Sequence, residues 1–355
     1  MSLTAILNPL SRPGYEEALV FHYSTSPIPP EEGDQPAVNL GVHRFSLTDR
    51  KDYFYTDLNK KSFVPLVNPA GIDIAFYNGA PRVFGFTKVD ENAKENDGGD
   101  GGDGGDGDRP VQQRITQLSP TTTPIDKDDE GPVKGKFKKP LATIYDLTKG
   151  EAYLFALRPT NKVDTVELIY YVLGDSRPYG RPIPIHARPD SQLDAIIHVT
   201  AKKQRYFFQP SGGAEVKNII RWAEIDSDKW GDVPGVVAWE SSPIAVVNGI
   251  ADLEDEEAPK EYLYVYYVAT NQRVHRARYD YHKREQDDND RWDKEPVEIS
   301  DRTITKPWRW LKVVPFTPTE NWVFFLADNE EPVRLKDTVS KTRSPAVEVP
   351  PKLRD

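Results

Sequence analysis

The chain has no cysteine and one methionine among its 355 residues. That excludes disulfides, thiolate metal centres and a thiol nucleophile. No run of apolar residues reaches the ~20 needed to span a membrane as a helix. The opening segment, Met1–Pro13, lacks the basic start, apolar stretch and small-residue cleavage site of a secretory signal. The expectation is therefore a cytoplasmic protein with no membrane partner. Long helical periodicity is missing too, and 31 prolines fit extended helix poorly. The net charge is −10, so the basic patch that nucleic acid demands is not expected.

Several catalytic signatures are also missing. There is no phosphate-cradling Gly-x-x-x-x-Gly-Lys-Ser/Thr and no strand, Gly-rich turn and helix unit. ATP and NAD sites are not expected. The six histidines, His22, His43, His186, His198, His275 and His282, show no metal-pair spacing, so neither a metal nor another cofactor is expected. Gly174-Asp175-Ser176-Arg177 resembles a serine-hydrolase block, but no acid–histidine partner follows His282.

What is present is strand-like. Between Asp90 and Arg109 lie eight acids and two bases, including the run Asp97–Asp108 of Gly and Asp only. Such a stretch has nothing apolar to bury, which predicts a disordered insertion, extending over 90–136 through a polar, Pro-rich continuation. Elsewhere short aromatic or β-branched runs recur, beginning at Val20, Ile74, Leu154, Tyr206, Val265 and Val323. Their period is a little above 50 residues, apart from the one gap that holds the insertion. Several strands per period of that length predict an all-β fold: one six-bladed β-propeller over residues 1–355, built of four-stranded antiparallel blades. The fifth period divides into Pro243–Asn248, Tyr262–Val268, Val274–Tyr281 and Arg291–Ile299. The fourth divides into Asp194–Thr200, Arg205–Gln209, Asn218–Asp226 and Trp230–Val237. Residues 340–355 are Pro-rich and read as a flexible tail or a last edge strand.

The blade pattern, an apolar inner strand, an Arg-bearing aromatic strand, a third strand and a Trp about ten residues on, resembles the fungal fucose-specific lectin family. The likeness is strongest in Gln204–Trp230 and Tyr262–Trp292. It implies sugar sites with an Arg from the second strand and a Glu from the third, which hold neighbouring hydroxyls while an aromatic ring covers the sugar's apolar face. In the six repeats the Arg position falls on Leu19, Asp73, Tyr153, Arg205, Tyr264 and Trp322, and the Glu position on Arg44, Gly85, Leu168, Trp222, Arg276 and Leu335. On that alignment Arg205 faces Trp222, and no blade keeps the pair.

A sugar site without its carboxylate directs attention to other chemistry. The chain also resembles the hetero-Diels–Alderases of tropolone–sesquiterpene biosynthesis, which share the lectin-like propeller. That resemblance implies dehydration of a hydroxymethyl tropolone to an o-quinone methide and stereoselective cycloaddition with a humulene-type alkene. The inner strands offer His198, Tyr145 and Lys312 for proton transfer, and Arg205 for holding the tropolone anion. Trp222, Tyr264, Trp310 and Trp322, with Arg44, Arg276 and Asn248, are the candidates for lining an apolar pocket that holds tropolone and sesquiterpene partners. A lectin with a remodelled sugar site and a non-catalytic interaction scaffold are the alternatives. Oligomeric state is not legible.

Overall fold

The computed structural model describes residues 3–8, 11, 16–25, 38–47, 53–55, 71–88, 112–119, 123–125, 133–134, 140–159, 166–173, 181–198, 202–212, 218–251, 260–283, 288–304, 311–317, 319–326, 332–339 and 347–348. These form six antiparallel sheets, each made of strands consecutive in sequence. The first blade holds β1 (Leu3–Leu7), β2 (Glu17–Thr25), β3 (Val38–Ser46) and β4 (Tyr53–Tyr55). The second holds β5 (Ile72–Tyr77), β6 (Ala80–Lys88), β7 (Gln112–Ser119), β8 (Thr123–Pro124) and β9 (Val133–Lys134). The third holds β10 (Leu141–Asp146), β11 (Glu151–Pro159), β12 (Val166–Leu173) and β13 (Arg181–Ile185). The fourth holds β14 (Leu193–Ile197), β15 (Gln204–Phe208), β16 (Arg221–Glu224) and β17 (Trp230–Asp232). The fifth holds β18 (Ile244–Ala251), β19 (Lys260–Val268), β20 (Val274–Asp280) and β21 (Val297–Glu298). The sixth holds β22 (Leu311–Thr317), β23 (Glu320–Leu326), β24 (Pro332–Thr338) and β25 (Val347–Glu348).

The six-bladed expectation holds, and the repeat is written in the register. The second residue of every inner strand stands opposite an aromatic of the second strand. The pairs are Thr4 with Phe21, Asp73 with Phe84, Ala142 with Phe155, Asp194 with Phe207, Ala245 with Tyr266, and Lys312 with Phe324. All six aromatics are buried. The core is six layers, one at each blade boundary. Phe207, Trp222, Leu263 and Tyr279 join the fourth blade to the fifth. Leu3, Val20 and Phe45 pack with Trp322 and Phe324, joining the first blade to the sixth. The inner strand β22 adjoins both β18 and β1, so the ring closes by side-chain packing between whole blades.

Two boundaries need correction. The insertion does not reach residue 136 as one unstructured unit. β7 lies inside that range and pairs with β6 from Phe84↔Gln117 to Lys88↔Gln113. Ile115 and Leu118 supply its buried face. The run Asp97–Asp108 lies outside the described residues. The Ile74–Tyr77 run belongs to an inner strand, not a second strand, so Asp73 faces the ring centre and the second strand is β6. At the other end, Val347–Glu348 is the fourth strand of the sixth blade; the remainder of the segment 340–355 lies outside the described residues. Among the described residues no helix is long and apolar enough to cross a membrane.

At the centre sits an ion cluster. Lys312 Nζ lies 3.0 Å from Asp73 Oδ1 and 3.4 Å from Asp194 Oδ1. These residues come from blades six, two and four. The other three inner strands tie in through hydrogen bonds. The Thr4 hydroxyl donates to Asp73 Oδ1 at 2.6 Å, the Thr143 amide to Asp73 Oδ2 at 2.6 Å, and the Val246 amide to Asp194 Oδ2 at 2.8 Å. Two carboxylates and one ammonium thus bind all six inner strands. Burial lowers the affinity of Lys312 for its proton, but the charges of Asp194 and Asp73 outweigh this and hold its pKa above the ordinary lysine value. Burial raises Asp194, against the pull of Lys312 and with the push of Asp73, to about 6.

Candidate functional site

Arg205 is the second residue of β15 and stands directly opposite Glu224 of β16. Its side chain is 2% exposed and that of Glu224 1%. Arg205 Nε and Nη2 donate to Glu224 Oε1 at 3.0 and 2.9 Å. The guanidinium lies over the Trp222 ring, 4.0 Å from its centroid, and 5.5 Å from that of Tyr279. Charge, planarity and an aromatic floor hold the group in one orientation. Arg205 Nη1 and Glu224 Oε2 are buried and make no hydrogen bond. Lys203 Nζ lies 4.0 Å from the second carboxylate oxygen. One donor and one acceptor of this buried pair thus remain to be satisfied, an arrangement that is costly in a protein interior.

The fifth blade supplies the facing wall. Tyr279 lies in β20, with Tyr281 just beyond it and Trp292 bridged to Tyr279. The Tyr279 and Trp292 rings are 5.1 Å apart, edge to face, and Tyr279 and Tyr281 are 5.3 Å apart. His198 follows β14 and meets Tyr281 edge-on at 4.7 Å. Asn248 of β18 accepts from the Tyr281 hydroxyl at 2.8 Å and donates to the Ile197 carbonyl at 2.9 Å. Burial, aided by the Arg205 charge, pushes His198 down to about 3, so it is neutral at pH 7. It is a poor proton donor in this setting.

Of the predicted residues, Arg205, Trp222, His198 and Asn248 come together here. The others do not join them. Lys312 is committed to the central ion cluster. Tyr145 is half-buried in the layer between blades two and three. Arg276 pairs with Asp337, its Nη1 2.6 Å from Oδ1, and lies 5.6 Å from the Tyr264 ring at the boundary of blades five and six. Trp322 is in the layer between blades six and one. Arg44 pairs with Glu17 at 2.6 Å on the first blade. Trp310 lies outside the described residues.

The residues opposite the Arg position also need correction. Counting two residues before each buried aromatic of the second strand gives Leu19, Arg82, Tyr153, Arg205, Tyr264 and Trp322, so Arg82 replaces Asp73. Their third-strand partners are Arg44 for Leu19, Val172 for Tyr153, Glu224 for Arg205, Arg278 for Tyr264 and Lys336 for Trp322. Gly85 belongs to a second strand, and Leu168, Trp222, Arg276 and Leu335 stand off the partner position. Arg82, beside a register shift, donates instead to Gln117 Oε1 at 3.0 Å. Among the described residues an Arg–Glu pair at this position therefore occurs in one blade, the fourth; Arg158 and Glu167 of the third blade also stand opposite one another, but further along the strands and partly exposed. The sequence alignment misses it because it selects Trp222, two residues before Glu224; the cross-strand register beyond the long β15–β16 connection is fixed by packing.

No protein-family model matches the sequence, and no curated protein matches it. Solved structures do. The lectin of Aleuria aurantia in complex with Fucα1-6GlcNAc is 13% identical, with a TM-score of 0.57 over 99% of this chain and 96% of that one. A lectin from Burkholderia pseudomallei is 15% identical, with a TM-score of 0.56 over 98% of this chain and 97% of that one. AofleA from Arthrobotrys oligospora is 10% identical, with a TM-score of 0.55 over 98% of this chain and 86% of that one. The chain thus has the lectin-like six-bladed propeller fold, at identities where the likeness speaks for the fold alone.

Proposed function

We propose that the protein binds a carbohydrate at one site, between its fourth and fifth blades. The observation that carries this is the Arg205–Glu224 pair: buried, directly opposed, and with Nη1 and Oε2 unsatisfied. A sugar hydroxyl accepts from a guanidinium and donates to a carboxylate, so neighbouring hydroxyls complete both groups. Tyr279, Tyr281 and Trp292 flank the pair from the fifth blade but are buried in the layer between the blades, so a sugar's apolar face would meet them only where that boundary opens. Solved structures of similar fold are complexes with Fucα1-6GlcNAc and α-methyl-L-fucoside, which makes fucosides the first ligands to test.

The cycloaddition reading asks one pocket to hold an acid, a base and two apolar partners. The residues it would use are dispersed: Lys312 in the central cluster, Tyr145 in the third blade, His198 neutral beside Arg205. A recognition site needs none of that chemistry.

A monosaccharide panel that includes α-methyl-L-fucoside, screened by saturation-transfer NMR, tests the proposal. Signal from at least one sugar with the native protein, lost in Arg205→Ala and Glu224→Gln, is expected. No signal from any sugar, or signal that survives both substitutions, would contradict it.

A further inference from the structure

A short 3-10 helix, Asp288–Arg291, lies between β20 and β21 and has no buried residue. It reaches across the blade boundary to β17 of the fourth blade. There Asp288 Oδ2 accepts from Arg205 Nη2 at 3.1 Å, and Asp288 Oδ1 accepts from the Tyr279 hydroxyl at 2.8 Å. Arg291 Nε is 3.8 Å from the same carboxylate. The Asp288 side chain is 31% exposed, whereas Arg205 beneath it is 2% exposed. A molecule approaching from solvent therefore meets Asp288 before it meets the guanidinium.

We propose that Asp288 is a built-in competitor for this site, occupying the outer edge of Arg205 until a ligand displaces it. This rests on the carbohydrate reading for the ligand, but not for the closure itself. Three features support it. The carboxylate arrives from another blade, 83 residues away in sequence, and is not part of the Arg205–Glu224 hairpin. It satisfies Nη2, which already bonds Glu224, and leaves Nη1 unsatisfied, so it is an incomplete partner. Its support is a four-residue turn of helix with no buried side chain of its own, which ends at the buried Trp292, so the Asp288 side chain can swing away while the end of the turn stays anchored. When Asp288 leaves, Arg205 keeps Glu224, so opening strands no unpaired buried charge, and the departing carboxylate is already partly exposed. A site open about a tenth of the time binds its ligand about ten-fold more weakly than one always open.

The test compares the native protein with Asp288→Ser and with Asp290→Ser, which alters a neighbouring acid of the same helix. One arm needs no sugar: the rate of phenylglyoxal modification at Arg205, read by peptide mass spectrometry. The other is affinity for the monosaccharide panel. Arg205 should react about ten-fold faster in Asp288→Ser alone, and that variant should bind sugar about ten-fold tighter. Equal Arg205 reactivity in all three proteins overturns the proposal, whatever the sugar result. Faster reaction with weaker sugar binding overturns it as well, because Asp288 would then be a ligand contact. Faster reaction with no sugar bound by any of the proteins supports the closure and removes the carbohydrate reading.

Discussion

Lys312 and Asp194 are 118 residues apart in sequence, yet their Nζ and Oδ1 atoms lie 3.4 Å apart at the centre of the ring. Neither charge stands alone: Asp73 completes the cluster, and every inner strand reaches it directly or through one hydrogen bond. The role of Lys312 is thus to neutralise two carboxylates that the fold has taken out of water. It is a keystone, and proton-transfer chemistry is not needed to explain it.

Lys312→Met removes the cation and leaves two carboxylates buried together. The expected loss is about 3–5 kcal/mol, read from urea unfolding. The triple variant Asp73→Asn, Asp194→Asn, Lys312→Met removes all three charges and keeps an acceptor for the Thr143 and Val246 amides, while the Thr4 hydroxyl can turn to accept from the new side-chain amide. It should lose less than half as much, because no unpaired charge remains.

The stability of the fold should fall on mild acidification. His43 is pushed down to about 3, by burial and then by the nearby His22, and His198 also to about 3. Unfolded, each takes its proton near 6.5, so folding is penalised increasingly as pH drops from 6.5 toward 3, by ~1.4 kcal/mol per pH unit for each proton. Asp194, raised to about 6, acts in the opposite sense, because the folded form takes its proton first. His275, lowered chiefly by burial, adds to the two, and three histidines against one carboxyl leave a net loss. Melting temperatures measured from neutral pH down to about 4 should decline, and His198→Asn or His43→Asn should each flatten the decline.

Arg205 and Glu224 should separate stability from binding. Arg205→Met alone strands a buried carboxylate and should cost about 3–5 kcal/mol. Arg205→Met with Glu224→Met should recover most of that stability, because two apolar side chains replace a buried pair. The double variant should still bind no sugar. Thermal unfolding and NMR on the same samples check both halves.

Much of the fold was legible in the sequence, because the repeat is carried by residues that must be apolar. The aromatics opposite the inner strands recur at a near-steady period from Phe155 to Phe324, and the fourth and fifth blades divide almost where the strands lie. The second blade was harder. Its inner strand carries Asp73 and Phe76, so it reads as a second strand, and β7 sits beyond a polar insertion. The site was half legible. Arg205, Trp222, His198 and Asn248 stand out as polar or large groups in short strands. Glu224 and Asp288 do not, since cross-strand register across a long hairpin and a contact made 83 residues away are fixed only by packing. The same holds for Asp73 and Asp194, which meet Lys312 across the ring.

Gly235 should prove as sensitive as any buried side chain. Its φ is +71°, and a Cβ there would lie 2.2 Å from the Lys294 carbonyl oxygen, on the loop before β21. Gly235→Ala faces both an unfavourable backbone and a backbone clash, so it should destabilise by more than ~1 kcal/mol. Differential scanning calorimetry reads the shift; an unchanged melting temperature would mean that this junction yields easily.

The most direct test of the account is a calorimetric titration of the native protein with the tightest-binding sugar of the panel, fitted for stoichiometry. One site per chain, abolished by Glu224→Gln, is the predicted result, because among the described residues the fourth blade alone has a fully buried Arg–Glu pair on its second and third strands. Several equivalent sites per chain, no saturable heat with any sugar, or one site indifferent to Glu224→Gln would contradict it.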